Sequence, residues 1–149
     1  MNGCTILRAM NHAELLGKQE VVTKLQAKGI TPTTQRVTIG QVLFARPQHV
    51  SAEQVLDMVN TEGSHVSKAT VYNTLNLFAR SGLVREVIVD PTKIFYDSNT
   101  RPHHRMFAMD TGVLSDLPSD QFQVLGMPDL PDGTSVVGLD VVLRVRSSD

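Results

Sequence analysis

Residues 67–84 read SKATVYNTLNLFARSGLV. Ser67 is a preferred helix N-cap residue and Gly82 is a preferred residue just beyond a helix end. The pattern therefore predicts a helix that runs from Ser67 to about Ser81. Apolar side chains recur along it at helical spacing and indicate one buried stripe, made of Val71, Leu75, Phe78 and Ala79.

The face opposite this stripe has the chemistry of a DNA-reading helix. Such a helix needs a small residue for close approach, amide side chains that can pair with adenine edges, and a ring that can reach a thymine methyl group or a phosphate. The residues on this face are Ala69, Tyr72, Asn73, Asn76 and Arg80. The pattern alone leaves a second interpretation open, the solvated polar face that most surface helices have.

Three further helices are predicted before this one, and a hairpin is predicted after it. Periodicity and caps place the helices at 13–28, 33–45 and 51–63. Ser51 and Gln54 form a capping-box pair at the start of the third. Two strand-like runs, 83–89 and 94–96, flank a turn at 90–92. Compact helices followed by a two-stranded hairpin indicate a winged helix-turn-helix domain.

The remainder of the chain is predicted to be a second, smaller unit. Strands are predicted at 106–109 and 113–117, a short helix at 119–125, and a strand at 136–145. About 47 residues are too few to bury a core alone, so we expect this unit to share a core with a second copy.

The predicted fold class is therefore α+β, with an N-terminal winged helix-turn-helix domain and a small α/β dimerisation domain. We predict four segments, a disordered N-terminus at 1–12, the winged-helix domain at 13–97, a linker at 98–102 and the dimerisation domain at 103–149.

Charge is divided unevenly along the 149-residue chain. Residues 1–102 hold 11 Lys and Arg against 8 Asp and Glu, whereas residues 103–149 hold 3 against 7, for a formal net charge of −1. A basic part joined to an acidic part indicates that the first faces a polyanion. The lone cysteine, Cys4, excludes an internal disulfide framework, and no apolar run approaches a membrane span, so we expect a soluble cytoplasmic protein without a membrane partner.

Three motifs together resemble the ferric uptake regulator (Fur) superfamily over roughly residues 20–146. They are TTQR at 33–36, ATVYNTL at 69–75 and GLV at 82–84. Within the superfamily, YNTL at 72–75, the two histidines at 103–104 and DVVLR at 140–144 are most similar to the iron response regulators.

The resemblance implies double-stranded DNA as the partner of the recognition helix. It assigns to Tyr72 a contact with bases or with the backbone, and Asn73 stands where many members have arginine. We expect DNA contacts from Arg36, Ser67, Lys68, Thr70, Tyr72 and Asn73.

Histidines and carboxylates supply a candidate metal site. His103 and His104 are adjacent on an extended segment and should point to opposite faces, although an exposed, solvated pair is also possible. The resemblance implies one regulatory site per chain for Fe, Mn or Zn, with His49, Asp97, His103 and Asp116 as ligands. Arg105 replaces a further histidine there, and should weaken metal binding or pair with Asp97 or Asp116.

The other sites of the superfamily are incomplete in this chain. The resemblance places His104 and Asp140 in a second, degraded metal site, where Pro102 and Gln123 replace the usual His and Glu. Ala108 and Thr111 stand in place of a Cys-x-x-Cys pair, so we expect no four-cysteine structural zinc. Haem is a further possible cofactor, with His103 and His104 as candidate ligands, whereas Cys4 precedes a threonine and not the proline of a haem-regulatory element.

These observations predict a homodimeric transcription regulator, a repressor of iron- or haem-responsive genes, with no enzymatic activity. A peroxide-sensing repressor of the same superfamily is the main alternative, but it needs the full ligand set that Arg105 interrupts. A metallohydrolase is less favoured, because the sequence has neither a glycine-rich phosphate loop nor a nucleophile paired with a base. A winged helix used only for protein contact is a third class.

Overall fold

The computed structural model describes residues 15–61, 63–101, 103–118 and 120–148. Its two compact units divide between Thr100 and Arg101. The predictions for residues 1–12 and for Cys4 lie outside the described residues. Among the described residues, no helix is long and apolar enough to cross a membrane.

The described residues of the first unit form four helices. They are α1 (Lys18–Ala27), α2 (Thr34–Leu43), α3 (Ala52–Thr61) and α4 (Lys68–Arg80). The predicted caps are present, since the Thr33 hydroxyl accepts from the Arg36 N–H and the Ser67 hydroxyl accepts from the Thr70 N–H. The Ser51 and Gln54 groups bond reciprocally as a capping box.

The first helix of the described residues begins at Lys18, whereas the sequence predicted a start at residue 13, which lies outside the described residues. The preceding segment is instead tied to α2. The Leu16 N–H donates to the Gln41 carbonyl at 3.1 Å, and the Gln41 side-chain amide donates back to the Leu16 carbonyl at 3.1 Å. These two bonds attach Leu16 to α2, directly ahead of Gly17, the extended N-cap residue of α1.

The four helices enclose an aliphatic core. Val71, Leu75 and Phe78 are fully buried, as predicted, whereas Ala79 is half-buried and Thr74 shares the inner face of α4. Phe44, at the end of α2, is also half-buried, and its ring centroid lies 5.5 Å from that of Phe78. The prediction for α4 is therefore confirmed in its bounds and for three of the four residues of its inner face.

A three-stranded antiparallel sheet completes the first unit. Its strands are β1 (His49–Val50), β2 (Arg85–Asp90) and β3 (Lys93–Asp97), in the order β1-β3-β2. The predicted hairpin is confirmed as β2 and β3. The two-residue strand β1 was not predicted, and its register places His49 opposite Asp97.

The second unit contains a second three-stranded sheet, β4 (Arg105–Ala108), β5 (Val113–Asp116) and β6 (Val142–Val145), in the order β5-β4-β6. The strands β4 and β5 form an antiparallel hairpin at the two predicted strand positions, and β6 pairs with β4 in parallel. Gly112 adopts a positive φ of 71° in the hairpin turn, a conformation that favours glycine.

One predicted element of the second unit is wrong, and another is shorter than predicted. The predicted helix at 119–125 is a single turn at its start, where the Gln121 N–H donates to the Pro118 carbonyl, followed by irregular chain. The predicted strand at 136–145 is confined to Val142–Val145. Residues 123–140 are exposed, so they lack the tertiary packing that a short helix or a longer strand needs.

Gly40 allows α1 and α2 to approach closely. A methyl group added at Gly40 would lie 2.5 Å from Val21 Cγ1 and 3.3 Å from the Phe44 ring. We expect Gly40→Ala to lower the free energy of unfolding by about 1–2 kcal/mol, because overpacking outweighs the gain in helix propensity. Denaturant unfolding measures this, with Gly17→Ala as a control that meets only the Glu20 side chain at 3.6 Å. Equal stabilities of the two variants would contradict the close approach.

Candidate metal ligands and nucleic-acid surface

The β1–β3 register forms the first candidate ligand pair. The His49 Nε2 atom lies 3.1 Å from Asp97 Oδ2, and the Asp97 side chain is almost completely buried. The other carboxylate oxygen, Oδ1, accepts the Asn99 N–H at 2.8 Å. The carboxylate is therefore fixed on both sides, with one oxygen directed at an imidazole nitrogen.

The second candidate ligand pair lies wholly in the second unit. The His103 Nε2 atom lies 2.8 Å from Asp116 Oδ1, and the His103 Nδ1 atom lies 2.6 Å from the Arg101 carbonyl oxygen. Both ring nitrogens thus face oxygen acceptors, although a neutral imidazole carries only one hydrogen. An Nδ1–H that donates to a backbone carbonyl leaves Nε2 free of hydrogen, which is the usual arrangement of a metal-binding histidine.

The donor atoms of these two pairs fit a divalent ion. Imidazole nitrogen with carboxylate oxygen is a ligand set that suits Fe(II), Mn(II) and Zn(II), whereas it lacks the thiolates that softer metals prefer. The four residues that were predicted as metal ligands thus occur as two His–Asp pairs, one in each unit.

Arg105 is the fully buried cation of the second unit. Its Nη1 atom lies 3.5 Å from Asp140 Oδ1 and 3.5 Å from the His103 carbonyl oxygen. Asp140, predicted as a ligand of the degraded second site, is therefore an ion-pair partner of Arg105. The sequence had suggested Asp97 or Asp116 for this pairing, and the structure adds Asp140.

His104, the other residue of the degraded site, has a different environment. Its ring meets the Phe122 ring edge-on, with centroids 5.1 Å apart. Its Nδ1 atom is buried and has no hydrogen-bond partner among the described residues. The two residues of the predicted second site thus have separate neighbours, and Pro102 lies outside the described residues.

The predicted DNA-contact residues have two kinds of role in the structure. Lys68 and Asn73 are exposed on α4, and Tyr72 is half-buried beside them. Ser67 and Thr70 are occupied with each other at the cap, since the Ser67 hydroxyl donates to Thr70 Oγ1 at 2.9 Å.

Arg36 also has an internal role. Its guanidinium donates to the Thr31 carbonyl at 2.9 Å and so holds the loop before α2. A guanidinium has five N–H donors, so this bond leaves others available to a phosphate.

Sequence reasoning missed one residue of this surface, Glu53. The Tyr72 hydroxyl donates to Glu53 Oε1 at 2.5 Å, and Lys68 Nζ lies 5.8 Å from the centroid of the Tyr72 ring. This hydrogen bond lowers the pKa of Glu53 and raises the pKa of Tyr72. The available sequence signal was only an acidic residue in the first turn of α3, which is common at helix N-termini.

The sequence model of the ferric uptake regulator family matches residues 27–127, which include most of the first unit and the β4–β5 hairpin. The chain belongs to this family.

Relatives and solved structures agree with the family assignment. The peroxide-responsive repressor PerR of Staphylococcus aureus is 27% identical over 103 residues, which cover 69% of this chain and 70% of that protein. The structure of the ferric uptake regulator of Pseudomonas aeruginosa, solved with manganese, is similar with a TM-score of 0.67 at 26% identity. The match covers 87% of this chain and 98% of the Pseudomonas chain. The Campylobacter jejuni peroxide stress regulator shares the fold, with a TM-score of 0.56 at 20% identity over 94% of this chain and 98% of that one.

Membership of the Fur family confirms several predictions at the family level. The protein is a metal-dependent, DNA-binding transcription regulator, and the family consists of regulators and not of enzymes. The predicted α+β class is confirmed as well. Family regulators bind DNA as dimers.

Proposed function

We propose that this Fur-family protein represses iron-responsive genes by binding operator DNA as a homodimer. In this proposal the first unit is a winged helix-turn-helix domain and the second unit is a dimerisation domain. One divalent ion per chain, held by His49, Asp97, His103 and Asp116, sets the DNA affinity. The observation that carries the proposal is the pair of preformed His–Asp contacts, at 3.1 Å and 2.8 Å.

The metal part of the proposal depends on where the two pairs lie in the chain. His49 and Asp97 belong to the unit that carries α4, whereas His103 and Asp116 belong to the other unit. An ion that takes ligands from both pairs would tie the recognition helices to the dimer and fix their spacing. Loss of the ion would release that constraint, and DNA affinity would fall by the free energy needed to restore it.

The proposed signal is iron status. The similarity of residues 72–75, 103–104 and 140–144 to the iron response regulators supports it, with either the ion itself or haem on His103 and His104 as the carrier.

Peroxide sensing is the second candidate, favoured by the similarity to the Staphylococcus aureus peroxide-responsive repressor. In that case His49 or His103 would be the target of oxidation. Arg105 counts against this candidate, because a buried cation occupies the position of a further ligand.

DNA binding is tested on α4 and on Arg36. We expect Tyr72→Ala and Lys68→Ala each to weaken binding by about 1–3 kcal/mol, through one or two lost contacts. Arg36→Ala should reduce the salt slope by about one unit, through one lost phosphate contact. The measurement is a gel shift at two salt concentrations, with a duplex selected by the wild type from a random pool. Arg146→Ala, an exposed cation of the second unit, is the charge-matched control. Wild-type affinity in all three test variants would refute the assignment.

Dimerisation is tested on the exposed apolar side chains of the second unit. Leu125 is 81% exposed and Val137 is 100% exposed in the single chain, as expected for residues that a second copy covers. We expect sedimentation to show a dimer at micromolar concentration. The double variant Leu125→Asp, Val137→Asp should raise the dissociation constant of the dimer by at least about tenfold. Ile88→Asp is the control, because it also replaces an exposed apolar side chain with a charged one. Ile88 is 61% exposed on β2 of the first unit, and this variant should leave the dimer intact. A monomeric wild type would refute this part of the proposal.

Metal binding is tested by titrating Mn(II), Fe(II) and Zn(II) into chelator-treated protein. We expect one ion per chain in the wild type and strongly reduced uptake in His49→Ala and in His103→Ala. His65→Ala removes an exposed histidine outside the proposed ligands and should bind normally. Acidification should release the ion, because protons compete for the imidazole nitrogens. Equal uptake by His103→Ala and the wild type would contradict the ligand assignment.

A further inference from the structure

An exposed carboxylate lies within the surface proposed to meet DNA. Glu53 is exposed in the first turn of α3, and it accepts the Tyr72 hydroxyl at 2.5 Å. DNA presents closely spaced phosphates, so a negative charge at this place opposes binding. A residue that weakens non-specific attraction must contribute something else if it is to be useful here.

The hydrogen bond to Glu53 fixes the orientation of the Tyr72 ring. A bond between a hydroxyl and a charged acceptor is stronger than a neutral one, and it restrains both side-chain torsions of the tyrosine before DNA arrives. A side chain that is ordered in advance loses less conformational entropy on binding. Because the hydroxyl proton is engaged, Tyr72 has no donor left for a base, and the ring is the part that can contact one, for example at a thymine methyl group.

Lys68 adds a counter-charge to the same arrangement. Its Nζ atom lies 5.8 Å from the Tyr72 ring centroid, within the range of a cation–π contact. The charge of Lys68 also lowers the pKa of Glu53, after the larger effect of the Tyr72 hydrogen bond. Glu53 is therefore ionised in the neutral range, and its charge is available to act on DNA.

We infer that Glu53 is a specificity-determining positioning residue of the DNA interface. It holds the Tyr72 ring in its reading orientation, and its charge weakens binding to every duplex, so that only DNA that offers the ring a favourable contact recovers the loss. This inference rests on the proposed DNA-binding function. Glu53 thus has two effects on binding. It orients the tyrosine ring, which favours the operator, and its charge repels every duplex.

Two substitutions of Glu53 distinguish these effects. Glu53→Gln keeps an oxygen acceptor for the tyrosine and removes the charge, so affinity should rise by a similar factor for operator and scrambled duplexes. Glu53→Ala removes both, so the ratio of operator to scrambled affinity should fall by about tenfold. Tyr72→Phe should lower the ratio by a similar factor, and Glu53→Ala combined with Tyr72→Phe should lower it no further, because both changes delete the same bond.

The experiment measures the affinities of the full-length variants for a duplex selected by the wild type and for a scrambled duplex of the same composition. Glu20→Gln is the matched control, because it removes the charge of another exposed glutamate in the first turn of a helix, α1. An absorbance titration of tyrosine ionisation tests the hydrogen bond itself, and the chain has two tyrosines. The pKa of Tyr72 should fall in Glu53→Ala, and Tyr72→Phe identifies its signal.

The outcomes separate the inference from the proposed function. If the wild type prefers the selected duplex and Glu53→Ala keeps the same ratio, the inference is wrong and the function stands. Additive losses in the double variant, or an unchanged Tyr72 pKa in Glu53→Ala, would also overturn it. If the wild type binds no duplex at all, the proposed function and the inference fail together.

Discussion

The alternation of side chains along β3 connects the helical core to a candidate ligand pair. Tyr96 is 4% exposed and belongs to the core, and its hydroxyl lies 3.4 Å from Asn76 Oδ1 on α4. Asp97 is the next residue, so the pleat directs it to the opposite face of the sheet, where β1 places His49 beside it. A shift of one residue in this register would exchange the two faces and would bury the carboxylate in the helical core.

Local signals were sufficient for the four helices and the β2–β3 hairpin of the first unit, apart from the start of α1. The N-cap residues Thr33, Ser51 and Ser67 marked helix starts, and the 3.6-residue period marked the inner face of α4. These features depend on neighbours within one helical turn, which the sequence contains directly. The strand β1 was missed because two residues carry no period, and their pairing depends on β3, almost fifty positions away.

The residues of the candidate site could be predicted from the sequence, whereas the contacts between residues could not. Family resemblance selected His49, Asp97, His103 and Asp116, whereas pattern and spacing alone did not single out this set. The Glu53–Tyr72 contact joins two helices, and the Arg105–Asp140 contact joins a strand to irregular chain. Both contacts depend on tertiary placement of ordinary surface residue types, so a single sequence offers no local signal for them.

The parallel pairing of β4 with β6 has a consequence for how the second unit folds. A long connection separates β5 from β6, and its described residues, 117–118 and 120–141, contain no crossover helix. Closing such a loop costs conformational entropy before any ladder hydrogen bond forms, and pairings between distant residues slow folding. The β4–β5 hairpin closes through its own short turn, so we expect it to form before β6 docks. Until β6 docks, the edge of β4 that it covers is open and can pair with another strand.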